Sequence, residues 1–81
     1  MKVYGYELNV ESERPLSLSE ASLQITLSEI QHLIDFLQTV QRSMNDKFDH
    51  AHFIDYCKRN KVKIDGIGDG IGDFIIIQDK S

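Results

Sequence analysis

The 81-residue chain lacks several features that would place it in a common class of protein. It has no tryptophan, one proline and one cysteine, Cys57. A single cysteine can form neither an internal disulfide nor a thiolate zinc site, so the fold does not depend on an oxidising compartment. No segment has the length and apolarity of a membrane span, and Glu7 interrupts the N-terminus before a signal peptide could develop. These absences predict a cytoplasmic protein.

The chain also lacks an excess of basic residues, which argues against nucleic acid as a partner. Thirteen acidic and nine basic residues give a net charge of −4. Residues 1–41 contain six acids and two bases, whereas residues 42–81 contain seven of each. An acidic half repels phosphate backbones and attracts basic surfaces. Net charge also serves solubility alone, so an acidic binding face and a merely solvated surface are both open readings.

The first third of the chain predicts two strands. Residues 2–8 and 16–26 alternate apolar and polar side chains, which is typical of half-buried strands that pair antiparallel. Leu16 and Leu18 are out of phase with the rest of the second strand, which predicts a bulge or bend near Ser19. Residues 9–15 between them are polar and end in the only proline, so they predict a loop. The faces expected to be buried are Tyr4, Tyr6 and Leu8 on the first strand, and Ala21, Leu23 and Ile25 on the second.

The middle of the chain predicts two helices. A capping box over 26–29 predicts the start of a helix that runs over 27–44, with Phe36 at the edge of its apolar stripe. A second helix is expected over 49–59, capped by Asp49. The faces expected to be apolar are Ile30, Leu33, Ile34, Leu37, Val40, Gln41 and Met44 on the first helix, and Phe53, Tyr56 and Cys57 on the second.

The last third predicts a short strand over 62–64, a glycine-rich turn over 65–72 and a strand over 74–77. Residues 74–77 are apolar at every position, which is typical of a strand in the middle of a sheet. Together the elements predict a single α+β domain over 1–81. Its expected architecture is a three- to four-stranded, mainly antiparallel sheet with two helices packed on one face.

Two helices leave one face of such a sheet uncovered. Either Phe74 and Ile76 or Ile75 and Ile77 must then point to the open side. An apolar patch of this kind needs covering by a partner, by a second copy or by a loop of the chain itself.

The residues that could carry chemistry do not form a strong site. Asp49, His50 and His52 are metal-ligand types, but two histidines two positions apart on a helix point in different directions. Cys57 falls on the apolar face of its helix, where a free cysteine is typically an inert core residue. The glycine repeat over 65–72 lacks the patterns of calcium and phosphate loops. We therefore expect no enzyme, no metal and no cofactor.

Several segments, in the same order along nearly the whole chain, carry a family resemblance. They are Lys2–Tyr6, Thr26–Ile30, Asp35–Leu37, Phe48–Phe53 with Asp55, and the terminal apolar strand. In these segments the chain resembles the immunity protein 32 family of bacterial polymorphic toxin systems. The resemblance implies a binding protein that neutralises a cognate toxin domain, such as a nuclease.

The combined expectation is a non-enzymatic protein that binds a toxin domain through an acidic surface, with neither nucleic acid nor a membrane as partner. Two alternatives stay open: a structural or regulatory homo-oligomer such as a homodimer, and a small metal- or ligand-sensing domain. The residues expected to bind the partner are Glu7, Glu11, Glu13, Glu20, Glu29 and Asp35.

Overall fold

The computed structural model describes residues 1–80 and shows an α+β fold with two helices and two separate antiparallel sheets. The expected single sheet of three or four strands is therefore replaced by two sheets of two strands each. Within residues 1–80, neither helix is long and apolar enough to cross a membrane. The elements in chain order are β1 (Tyr4–Gly5), β2 (Leu16–Ser17), α1 (Leu27–Ser43), β3 (His50–His52), α2 (Phe53–Asn60) and β4 (Ile75–Ile77).

Helix α1 begins where the capping box predicts. The Thr26 hydroxyl accepts a hydrogen bond from the Glu29 amide at 3.2 Å, and the Glu29 carboxylate accepts one from the Thr26 amide at 2.8 Å. The bond from the Thr26 amide is the main reason that the pKa of Glu29 lies below its usual value. The reciprocal pair satisfies two amides that a helix start would otherwise leave free. Helix α1 ends at Ser43, one residue before the predicted end.

The buried core joins α1 to the C-terminal half of the chain. Phe36 is only 1% exposed, and its ring centroid lies 5.1 Å from that of Phe53 and 5.6 Å from that of Tyr56. Aromatic rings at these separations add specific attraction to the apolar area that they bury. Within residues 1–80, the buried core side chains are Phe36, Val40, Phe53, Cys57 and Ile64.

The buried face of α1 is rotated from the predicted stripe. Phe36, expected at the edge, lies at the centre, because α2 packs against the side of α1 that carries this ring. Its neighbours Leu33, Val40 and Met44 lie on the same face. The predicted core residues Ile30, Ile34 and Leu37 are instead 37%, 42% and 41% exposed.

The segment predicted as the start of the second helix is a strand. Residues His50–His52 form β3, and α2 begins only at Phe53. The cap comes from Asp73 instead of Asp49: its Oδ1 accepts hydrogen bonds from the amides of Ile54 at 3.0 Å and Phe74 at 2.8 Å. An acceptor nineteen residues away in sequence thus satisfies an amide in the first turn of α2.

Strand β4 pairs with β3 and has one open side. The register sets His52 opposite Ile75 and His50 opposite Ile77. Phe74 and Ile76 pack against the core, whereas Ile75 and Ile77 are 44% and 69% exposed. Of the two predicted orientations, the one with Ile75 and Ile77 outward is the one found.

The position of β4 differs from the prediction in another respect. The strand forms half of a two-stranded sheet, so it does not lie in the middle of a larger one. Residues 62–64, expected as its neighbour, form no strand. Ile64 instead contributes its side chain to the core, where it is 8% exposed.

The glycine repeat forms a turn, as predicted. Gly68 and Gly72 exchange backbone hydrogen bonds of 2.9 and 3.2 Å, and Gly70 between them has a φ of 73°. A Cβ atom on Gly72 would lie 2.6 Å from the Gly66 carbonyl oxygen. Glycine is therefore required at Gly70 by conformation and at Gly72 by close backbone approach.

The first strand pair forms, but it covers only Tyr4–Gly5 and Leu16–Ser17 of the predicted 2–8 and 16–26, and Leu23 of the predicted buried face is 55% exposed. β1 and β2 pair antiparallel over two residues each, and the Leu18 amide adds a bond to the Val3 carbonyl at 2.8 Å. The side chains expected to pack in the core are exposed: Tyr4 by 52%, Tyr6 by 62% and Leu8 by 61%. The prediction of their burial is wrong, because neither sheet nor helix covers them.

Replacing Phe36 with leucine tests the assignment of the core. Phe36→Leu should lower the free energy of unfolding by about 1–2 kcal/mol, because it removes buried ring atoms and leaves a partly filled cavity. Phe48→Leu is the matched control, because Phe48 is 67% exposed. This substitution should change the free energy of unfolding by less than about 0.5 kcal/mol. Urea denaturation followed by circular dichroism measures both. Equal effects at the two positions would contradict the assignment.

Replacing Asp73 with alanine tests the long-range cap of α2. Asp73→Ala should destabilise the protein by about 0.5–2 kcal/mol, because it leaves the Ile54 amide without its acceptor. Asp69→Ala is the control: Asp69 pairs with Lys58 at 2.7 Å but is 76% exposed, and such surface pairs contribute about 0–1 kcal/mol. Thermal unfolding compares the two variants. A larger loss from Asp69→Ala would show that the cap is unimportant.

Candidate protein-binding surface

Apolar side chains are exposed throughout residues 1–25. Seven large ones are between 37% and 62% exposed, in both strands of the first sheet and in the segments beside it. Scattered exposed apolar residues are normal, whereas a large exposed group of them is typical of an interaction site. Because Gly5 pairs with Leu16, Tyr4 lies on one face of the first sheet and Leu16 and Leu18 lie on the other, so the group extends over both faces. We call this group the N-terminal surface: Tyr4, Tyr6, Leu8, Val10, Leu16, Leu18 and Leu23.

The whole chain exposes more surface than its size requires. Its accessible surface is 7191 Å², whereas a compact monomer of this mass exposes about 5,000 Å². The radius of gyration is 13.2 Å, compared with about 11.7 Å expected for this length. The excess of about 2,200 Å² exceeds the roughly 800 Å² that each partner contributes to a standard interface.

Four of the six predicted binding acids lie in the same segment as the N-terminal surface. The carboxylates of Glu7, Glu11, Glu13 and Glu20 are exposed, and no hydrogen bond or ion pair within residues 1–80 engages them. Residues 1–25 contain four acids and two bases. The segment therefore combines apolar area with a negative charge that its own chain does not neutralise.

The other two predicted acids have local roles. The Glu29 carboxylate closes the capping box of α1 and is occupied there. The Asp35 carboxylate accepts a hydrogen bond from the Gln31 side chain at 2.9 Å. Burial raises the pKa of Tyr56, and the nearby charge of Asp35 raises it further. The structure thus separates Glu29 and Asp35, which stabilise the helix and border the core, from the four acids of the N-terminal surface.

The two histidines of β3 lie on the same side of the sheet. On a strand, positions two apart share a face, and the ring centroids of His50 and His52 are 5.6 Å apart. The prediction that the two histidine side chains point in different directions is therefore wrong. Their Nδ1 atoms lie 3.0 Å from an Asp49 oxygen and 2.7 Å from an Asp73 oxygen. Within residues 1–80, no group of three or more histidine, cysteine or acidic side chains is placed to hold a metal ion.

Cys57 and the surface grooves offer little for catalysis. Cys57 is 6% exposed. Burial is the main cause that raises the pKa of its thiol, with the charge of Asp73 second. A protonated, enclosed thiol is a poor nucleophile. Two shallow grooves of about 180 Å³ each border the core, below the roughly 300–1,000 Å³ of typical ligand sites.

Sequence reasoning singles out the acids but not the apolar part of the candidate surface. The available signal is the phase break between Leu16 and Leu18 and the set Ala21, Leu23 and Ile25, which the prediction assigns to a bulge near Ser19 although a regular strand over 16–26 cannot bury both sets. Comparison with known proteins adds no assignment: no family model, no curated protein and no solved structure matches the chain. The resemblance to the immunity protein family stays a prediction.

The reactivity of Cys57 tests its assignment as a core residue. In the native protein at neutral pH, Ellman's reagent should modify the thiol at least about tenfold more slowly than in the unfolded chain, because both burial and a raised pKa suppress the thiolate. Absorbance at constant reagent concentration gives both rates. Modification that is as fast in the native protein as in guanidinium would contradict the assignment and reopen a catalytic role.

Proposed function

We propose that this protein is a non-enzymatic binding protein that docks a basic protein partner through its N-terminal surface. The observation that carries the proposal is the large accessible surface of the chain together with the exposed apolar side chains of residues 1–25. Burying such a group against a partner removes apolar area from water, which is the dominant favourable term in protein association.

The unneutralised acids specify the chemistry of the partner. Glu7, Glu11, Glu13 and Glu20 lie among the apolar side chains and attract a surface rich in lysine and arginine. A positive partner is steered into encounter by this field, which raises the association rate by about 10–1,000-fold at low salt. Tyr4 and Tyr6 supply aromatic area of the type that dominates binding energy in many interfaces.

A toxin domain is the partner that we favour. Nuclease toxin domains are basic because they bind phosphates, so an acidic inhibitor is complementary to them. The resemblance to immunity proteins points to the same role, which is neutralisation of a toxin inside a bacterial cytoplasm. The buried, protonated Cys57 and the small grooves support a protein that acts by binding alone.

Co-expression tests the function directly. The probe is the toxin domain encoded beside the gene for this chain, expressed in a sensitive host with and without the protein. We expect the protein to restore growth and to form a stable complex with the toxin domain in gel filtration. Absence of both binding and protection would remove the proposal.

Charge reversal then locates the contact. Glu7→Lys/Glu20→Lys should slow association at least about tenfold at low ionic strength, with a smaller effect at high salt where charges are screened. Asp46→Lys/Asp69→Lys is the matched control, because it changes net charge equally outside residues 1–25. Surface plasmon resonance at several salt concentrations measures the rates. Equal slowing by both pairs would place the contact elsewhere.

A further inference from the structure

The outer edge of β4 carries backbone groups that no other element pairs. The Phe53 amide donates to the Phe74 carbonyl at 2.8 Å, and the Gln78 amide donates to the Asp49 carbonyl at 2.7 Å. Bonded and non-bonded pairs alternate along an antiparallel ladder, so Ile75 and Ile77 belong to non-bonded pairs. Their amides and carbonyls therefore point away from β3, and no hydrogen bond within residues 1–80 reaches them.

The side chains at this edge are apolar and exposed. Ile75 and Ile77 lie 44% and 69% open to solvent on the face that also carries His50 and His52. Native proteins protect an open edge with charge, proline or a covering loop, because unpaired strand groups are a template for another strand. The run from Phe74 to Ile77 has none of these devices.

A buried polar atom marks the same strand. Gln78 continues β4 on its core-facing side, and its Oε1 is buried without a hydrogen-bond donor in the described part of the chain. Leaving a buried acceptor unmatched costs roughly 1–3 kcal/mol. The outer edge is thus unpaired in its backbone at Ile75 and Ile77, whereas the Gln78 Oε1 lies on the core side, apart from this edge.

We propose that β4 pairs antiparallel with β4 of a second copy, so that two chains form a homodimer with one continuous four-stranded sheet. A two-fold axis through Ile76 pairs Ile75 of each copy with Ile77 of the other. In each pair, both residues donate a backbone amide hydrogen bond to the carbonyl of the other. Such an interface is self-complementary, as two-fold dimers require. Three identical isoleucines make the edge a match for itself.

The available area accommodates both associations. The proposed dimer uses β4, whereas partner binding uses residues 1–25, so the dimer does not depend on the proposed function. Two standard interfaces need about 1,600 Å² from one chain, and the excess surface is about 2,200 Å². A chain that binds its partner as a monomer would contradict the dimer and leave the binding function intact.

Sedimentation equilibrium of the tag-free full chain tests the dimer. We expect a monomer–dimer equilibrium in the micromolar range. Ile77→Pro removes only an outward-facing amide and should raise the dimer dissociation constant at least tenfold while circular dichroism stays unchanged. Ile75→Lys/Ile77→Lys should do the same through charge repulsion across the axis.

Leu27→Lys/Ile71→Lys is the matched control, because it adds equal charge at side chains that are 86% and 56% exposed away from β4. It should leave the dissociation constant within about twofold of the wild type. A wild-type chain that is monomeric throughout would overturn the proposal, as would a dimer weakened equally by the control. The association state of the wild type decides the matter even if a variant does not fold.

Discussion

The packing of Phe36 against Phe53 and Tyr56 is the interaction on which the rest of the fold depends. It joins α1 to α2, and Val40 and Ile64 belong to the same buried cluster. The buried apolar side chains of residues 1–80 belong to this cluster, which draws on residues 36–64. The core is therefore small, and of the first 25 residues only 22–25 border it, along a groove that they share with Leu33 and Phe53.

Asp73 holds the second half of the fold together in a different way. Its carboxylate accepts from the Ile54 and Phe74 amides and contacts His52 Nδ1 at 2.7 Å. One side chain thereby links the loop before β4, the last residue of β3 and the first turn of α2. Charge-assisted bonds of this kind are stronger than neutral ones, and this one fixes where the strand ends and the helix begins.

The sequence predicts the parts of this fold that are decided locally. The capping box of α1, the apolar face of α2 and the glycine turn each follow from residues within a few positions of one another, and each is found. The strand over 50–52 could not be predicted, because its partner β4 and the cap of α2 come from nineteen or more positions away. The four consecutive apolar residues of 74–77 do predict the open side of β4.

The residues of the candidate site also divide into those that the local sequence predicts and those that it does not. Its acids could be read from composition, since charge is exposed in almost any fold. Its apolar members could not, because alternation predicts burial wherever a chain has a layer to cover it, and the absence of that layer is a property of the whole fold. Composition alone is also insufficient for Glu29 and Asp35. They carry the same charge as the other acids, but their carboxylates accept hydrogen bonds at the start of α1 and within it.

Hydrogen exchange monitored by mass spectrometry, on the chain alone and in complex with the basic protein partner that we propose, tests the central claim most directly. Fast exchange is expected in residues 1–25 of the free chain, where few backbone bonds are sheltered. On binding, protection should increase in this segment and stay unchanged in α2. Protection confined to α2 or to the glycine turn, with residues 1–25 still exchanging freely, would contradict the account.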